Sequence, residues 1–162
     1  MRKINKYLGL LFAAVILTSS LFVGGITFGA DLSKSQQEAV IANCTSAKNT
    51  LNQLHASDAL LRVNMGQMYE AISTKLMGTL NRRISNNGFN NSTLRSVSDT
   101  YTTQLDKFRA DYITYEDHLS VAIHSDCKNN PSEFYNAVAT ARDGRDTVHD
   151  DVIQLNKLLD EY

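Results

Sequence analysis

The sequence predicts an all-α fold, an elongated and coiled-coil-like three-helix bundle running up, down and up, preceded by an N-terminal signal or anchor helix. Three observations predict it. Beyond residue 40, apolar residues recur at alternating steps of three and four, the period of a helix-bundle seam. A basic start followed by a long uncharged run occupies residues 1–30. Two cysteines stand far apart in a chain with one proline and no tryptophan, and its scarcity of β-branched runs favours helix over sheet.

The leader comes first. MRKINKY is basic, and no charged side chain appears from Leu8 to Ala30, which is the pattern of an export signal. Its strongest apolar block, Leu8 to Leu17, has the size of a signal-peptide core, and Gly25, Gly29 and Ala30 offer cleavage sites. Each site is imperfect, because cutting before Asp31 leaves bulky Phe28 where a small residue is preferred. An uncharged run of about 23 residues is also long enough to cross a hydrocarbon core of roughly 30 Å, so residues 8–30 fit a retained anchor as well. In either case the basic start stays inside and the remainder emerges outside. The domains are therefore 1–30, signal peptide or membrane anchor, and 31–162, an extracytoplasmic helical bundle.

Outside the leader, 13 basic residues face 17 acidic ones, a balance of roughly −4 that argues against a nucleic-acid partner. Cys44 and Cys127 are the only cysteines. In an oxidising compartment such a pair predicts a disulfide, which closes a loop of about 83 residues and stabilises a small bundle by about 4–5 kcal/mol in the chain-entropy model. Neither cysteine belongs to a CxxC or a c-type haem motif, and the histidine spacing matches no established metal motif.

The first helix is expected over 33–85. Ser35 and Glu38 suggest its capping box, and Asn86-Asn87-Gly88 its stop. Its seam reads Val40, Cys44, Ala47, Leu51, Leu54, Leu61, Met65, Met68, Ile72, Leu76 and Leu80, with a break near His55–Asp58 or at Gly66 as the alternative. The second helix carries Leu94, Val97, Tyr101, Leu105, Phe108, Tyr112, Tyr115, Leu119 and Ala122. The third begins at SDCKNNPSE, where Asn130 suits a cap and Pro131 the first helical position. Its seam runs Phe134, Val138, Ala141, Arg145, Val148, Val152, Leu155, Leu159 and Tyr162, with solvated charges between. Short turns make successive helices antiparallel neighbours.

Asp58 and Arg145 each stand where the pattern asks for an apolar residue. Counting about 14 residues along from Cys44 and from Pro131 brings them to one level, where they can neutralise each other. The same level holds Tyr115, His55 and His118, with Arg142 at the flank, so a buried polar layer of Asp58, Arg145, His55, His118 and Tyr115 is expected. Such a layer either pins the packing register or forms a ligand or metal site from two imidazoles and a carboxylate.

The remaining candidates have structural readings. His118 and His124 are six apart and fall on different faces, and His149 stands in the charged run from Asp146 to Asp151, so these are solvated histidines. The aromatic series from Tyr101 to Tyr135 is core at helical spacing, and Met65, Met68 and Met77 largely follow the seam. Gly144 either admits a close neighbouring helix or simply weakens its own. Asn90 and Asn91 fit glycosylation acceptor patterns.

No serine nucleophile motif, phosphate-cradling glycine loop or pair of catalytic carboxylates is recognisable. The chain is read as no enzyme and as needing no cofactor. The expected function is that of an exported structural or protein-interaction module, secreted or tethered, with another protein as partner. The alternative is an extracytoplasmic small-ligand or metal-binding bundle.

Overall fold

Ser33 opens the first rod with a reciprocal cap. Its Oγ accepts the Gln36 N–H at 3.4 Å while the Gln36 side-chain oxygen accepts the Ser33 N–H at 2.9 Å, satisfying two donors that a helix start leaves open. The capping box expected at Ser35 and Glu38 is therefore two residues upstream, because Ser35 already lies inside the first turn. The computed structural model describes residues 32–162, which pack as one unit, and the leader expected over 1–30 lies outside them. Every regular element among the described residues is helical, and none of these helices is long and apolar enough to cross a membrane.

The first rod consists of α1 (Lys34–Ala71), a π-helical turn (Ile72–Met77) and α2 (Gly78–Asn86). α1 continues unbroken through His55–Asp58 and Gly66, so the breaks weighed there do not occur. The irregularity comes later, where the Gly78 N–H bonds the Ser73 carbonyl across five residues. A π turn holds one residue more than an α turn, and this is why two seam residues, Ile72 and Met77, stand five apart.

The rod ends in a Schellman cap. Gly88 has φ +75°, a left-handed conformation natural to glycine, and this lets the Gly88 N–H reach Ser85 O while the Phe89 N–H reaches Ile84 O. The turn is then sewn down by Asn91, whose amide nitrogen donates to Asn81 O at 2.8 Å and whose amide oxygen accepts from Ser85 Oγ at 3.2 Å. Asn91 is buried, which removes it as a glycosylation acceptor, whereas Asn90 stays exposed.

α3 (Ser92–His124) and α4 (Pro131–Glu161) complete the bundle. Pro131 occupies the first turn of α4 as expected, but the Asn130 side chain makes no capping bond. The connecting turn is instead organised by the Asp126 carboxylate, which accepts the backbone N–H groups of Lys128 and Asn129 at 3.1 Å each. Ties between the rods fix their directions. Ascending the first rod, Cys44 meets Cys127, Asp58 meets Tyr115, Ser73 meets Thr102 and Asn81 meets Asn91, so α3 runs the opposite way. Arg145 then meets Asp58, and Tyr162 donates to Met77 O, so α4 returns alongside the first rod.

The core lies in three successive layers. At the base, the Cys44–Cys127 disulfide, with Cα atoms 5.6 Å apart, packs with Phe134. Tyr112, Tyr115, Leu119 and Ala141 form the middle layer, and Tyr69, Met77, Tyr101, Leu105, Phe108 and Leu155 the upper one. Every α3 position from Tyr101 to Ala122 in the expected seam is buried. The first rod departs from expectation above Asp58. Leu61, Met68, Leu76 and Leu80 are 57%, 44%, 52% and 41% exposed, while Tyr69 and Met77 are 1% and 0% exposed. Tyr69 takes the inward position next to Met68 because its ring meets Phe108 edge-on at 5.7 Å between centroids, and the π turn then carries the phase on to Met77.

Two outcomes test this architecture. Replacing Cys44 and Cys127 together by Ala lowers unfolding free energy by about 4–5 kcal/mol in denaturant titration, reflecting the long loop the bond closes. Deleting exposed Lys75 shortens the π turn to a normal one and keeps a cooperative melt, whereas deleting exposed Gln53 rotates all of α1 above it by about 100° and abolishes one.

Candidate functional site

The polar tie at mid-height is built from one residue of each rod. Asp58 is buried, and its carboxylate accepts a hydrogen bond from Tyr115 Oη at 2.7 Å and from Arg145 Nε at 2.9 Å. Burial pushes the Asp58 carboxyl up, but the bonds from Arg145 and Tyr115 outweigh it and hold the group below the ordinary carboxylate range. Burial and the bond to Asp58 push the Tyr115 phenol well above its ordinary value, so it remains a donor. The pair is lopsided, because the Arg145 side chain is 51% exposed and that of Asp58 only 10%.

Among the described residues, the two histidines expected in this layer make no bond to its carboxylate. His55 is exposed on α1, and neither His55 nor His118 is hydrogen-bonded to Asp58 among the described residues. His118 is half-buried where α3 meets α4, its Nδ1 shut from water without a partner. It lies 3.5 Å from where a Cβ would stand on Gly144, which is 3.4 Å from Tyr115 Cα. Gly144 therefore serves the close approach of α4 to α3, and His118 belongs to that contact rather than to the carboxylate. His124 and His149 are exposed, as is Arg142. Among the described residues no group of three or more His, Cys, Asp or Glu side chains is placed to hold a metal ion.

A second polar cluster was not legible as one. Asp151, expected among solvated charges, is 2% exposed. Its Oδ1 accepts from Lys107 Nζ at 2.6 Å and Gln104 Nε2 at 2.8 Å, and Lys107 also reaches Asp111 at 2.6 Å. Burial raises the Asp151 carboxyl, whereas the Lys107 ammonium holds that of Asp111 down. The available signal was position, since Asp151 lies four residues before Leu155 and three after Val148, both on the α4 seam. Its charge hid that phase.

A groove of about 460 Å³ lies between the first rod and α4, with the tie residues Asp58, Tyr115 and Arg145 among its lining. Phe108 and Tyr112 of α3 form its floor, with Leu61 and Met65 on one wall and Val148 and Val152 on the other. Arg62 lies over the Tyr112 ring, its guanidinium carbon 4.9 Å from the centroid. Of the exposed residues Leu61, Met68, Leu76 and Leu80, only Leu61 lines this groove. No protein-family model matches the chain, and neither curated proteins nor solved structures give a significant match.

The lopsided burial at the tie sets the outcome of a double-mutant cycle. Arg145→Leu leaves a buried carboxylate unpaired and costs about 3 kcal/mol, whereas Asp58→Leu leaves a guanidinium that reaches water and costs about 1–2 kcal/mol. The double variant recovers most of the larger loss, and additive losses in urea titration count against the pairing.

The acid limb provides another check. Asp58 has a lower proton affinity folded than unfolded, so it adds stability above the unfolded value of about 3.9, and that contribution is lost as pH falls through the folded value. Asp151, raised by burial, acts in the opposite sense, and subtracting the melts of an Asp58→Asn variant isolates the first effect. The stability difference between wild type and variant narrows as pH drops below about 4, and a gap independent of pH contradicts the assignment.

Proposed function

We propose that the chain is a non-enzymatic interaction module that acts outside the cytoplasm, secreted or tethered by residues 8–30, and docks another protein along its first rod. At about 1.5 Å per residue, Lys34–Asn86 makes an elongated rod of roughly 80 Å against about 50 Å for α3. The observation that carries this reading is the stripe of Leu61, Met68, Leu76 and Leu80, large apolar residues left in water along one rod. Isolated exposed apolar side chains are ordinary, whereas a contiguous row marks an interaction surface. Steps of seven, eight and four keep these residues on one face, because the middle step contains the wide π turn.

The compartment rests on the disulfide and on the composition of the leader, since structural disulfides persist in oxidising surroundings. The polar tie fits a structural role better than a catalytic one. Its carboxylate is already bonded by Tyr115 and Arg145, which makes it a register pin between three helices.

Site-specific photocrosslinking in the native host tests the docking face. A photoreactive side chain at Leu61, Met68 or Leu76 yields one discrete adduct with another protein, and the same group at exposed Asp117 or Asp143 yields none. Equal adducts at all five positions, or no adduct on the stripe, overturn the proposal.

A further inference from the structure

We propose that the groove between α1 and α4 binds a small apolar molecule carrying one carboxylate. This inference is independent of the protein-docking reading, because the groove is a separate concavity that shares only Leu61 with the stripe. Its volume of about 460 Å³ falls in the range of small-molecule sites, roughly 300–1,000 Å³. Its walls are hydrocarbon and its floor is two buried aromatic rings, Phe108 and Tyr112. Along α1 it extends from Asp58 to Met65, about 10 Å of helix rise. That length suits a short chain better than a docked helix, which engages anchors over several turns.

The charges around the groove select the head group. Asp58 is already compensated, since Arg145 and Tyr115 both bond it. Arg62 has no carboxylate within salt-bridge distance among the described residues and is held by the face of Tyr112. Arg145 bonds Asp58 through Nε and, at 3.5 Å, Nη2, which leaves its Nη1 donors free in a half-exposed side chain. His149 adds a further imidazole at the rim. Asp146 is the one carboxylate left over, and it is exposed, so water solvates it without help from a ligand. Two guanidiniums with spare donors at the mouth of an apolar trough complement an anionic head on an apolar tail.

The probe is dodecanoate, below its micelle concentration, titrated into the full chain carrying ¹³C-methyl methionine. Met65 lines the groove, whereas Met77 is fully buried elsewhere in the core, so the two methyl signals locate the binding. Dodecanoate is expected to shift Met65 saturably and Met77 little. Dodecanol and dodecylammonium bind about tenfold more weakly or not at all, and Arg62→Gln, at an exposed position, weakens dodecanoate about tenfold with an unchanged helical spectrum. A Val148→Trp variant that fills the trough removes the Met65 shift. The proposal is overturned if Met65 does not saturate, if dodecylammonium matches dodecanoate, or if Arg62→Gln leaves the affinity unchanged, as binding by the apolar leader alone would do.

Discussion

The Asp58 carboxylate accepts hydrogen bonds from both of the other rods, and the packing above and below it takes its register from that fact. A slip of one turn between the first rod and α4 leaves the Asp58 carboxylate buried without its guanidinium partner, a penalty of several kcal/mol that purely apolar layers do not impose. The lower layer is then closed covalently by Cys44 and Cys127, and the upper one is filled by aromatic and aliphatic side chains on either side of Leu105. The polar point thus adds a penalty against slipped packings to the apolar burial that the flanking layers supply. The phenols of Tyr69, Tyr101 and Tyr112 are buried without hydrogen-bond partners, so the aromatic layers contribute through ring packing while carrying the desolvation cost of three hydroxyls.

How much of this could be read from the residues depended on how many faces of each helix were apolar. α3 has a single unambiguous stripe, and each of its expected core positions from Tyr101 to Ala122 is inward. The first rod has two candidate stripes side by side above Asp58, and periodicity cannot say which one a neighbour will cover. Tyr69 won over Met68 through a tertiary contact with Phe108, and the π turn, invisible to a fixed period, carried that choice forward. The pairing of Asp58 with Arg145 was legible because both residues violate an apolar pattern at one level. The exposure of His55 was not, since neighbouring level does not fix the face. Asp151 was missed for the opposite reason, its charge having been taken as a sign of exposure although Lys107 and Gln104 bond its Oδ1 inside the bundle, with Oδ2 buried and without a partner.

The division of the molecule into a covered and an uncovered side follows from the same geometry. α3 and α4 share the most extensive helix contact, with Gly144 bringing α4 against Tyr115. The first rod has less contact with either, and it is tied to them by the disulfide and by the bonds at Asp58, Ser73 and Tyr162. The groove lies beside this less extensively held rod, between it and α4.

The position of the disulfide has a mechanical consequence. About ten residues of α1 precede Cys44 and project below the crosslink, so a load applied to the first turns of that helix enters the bundle at a covalent junction. Tension between that end of α1 and the turn joining α3 to α4 passes through sulfur, and for a load held at those two points the hydrogen bonds and apolar layers above are spared. The bundle is in that sense bolted at the end where its chain begins.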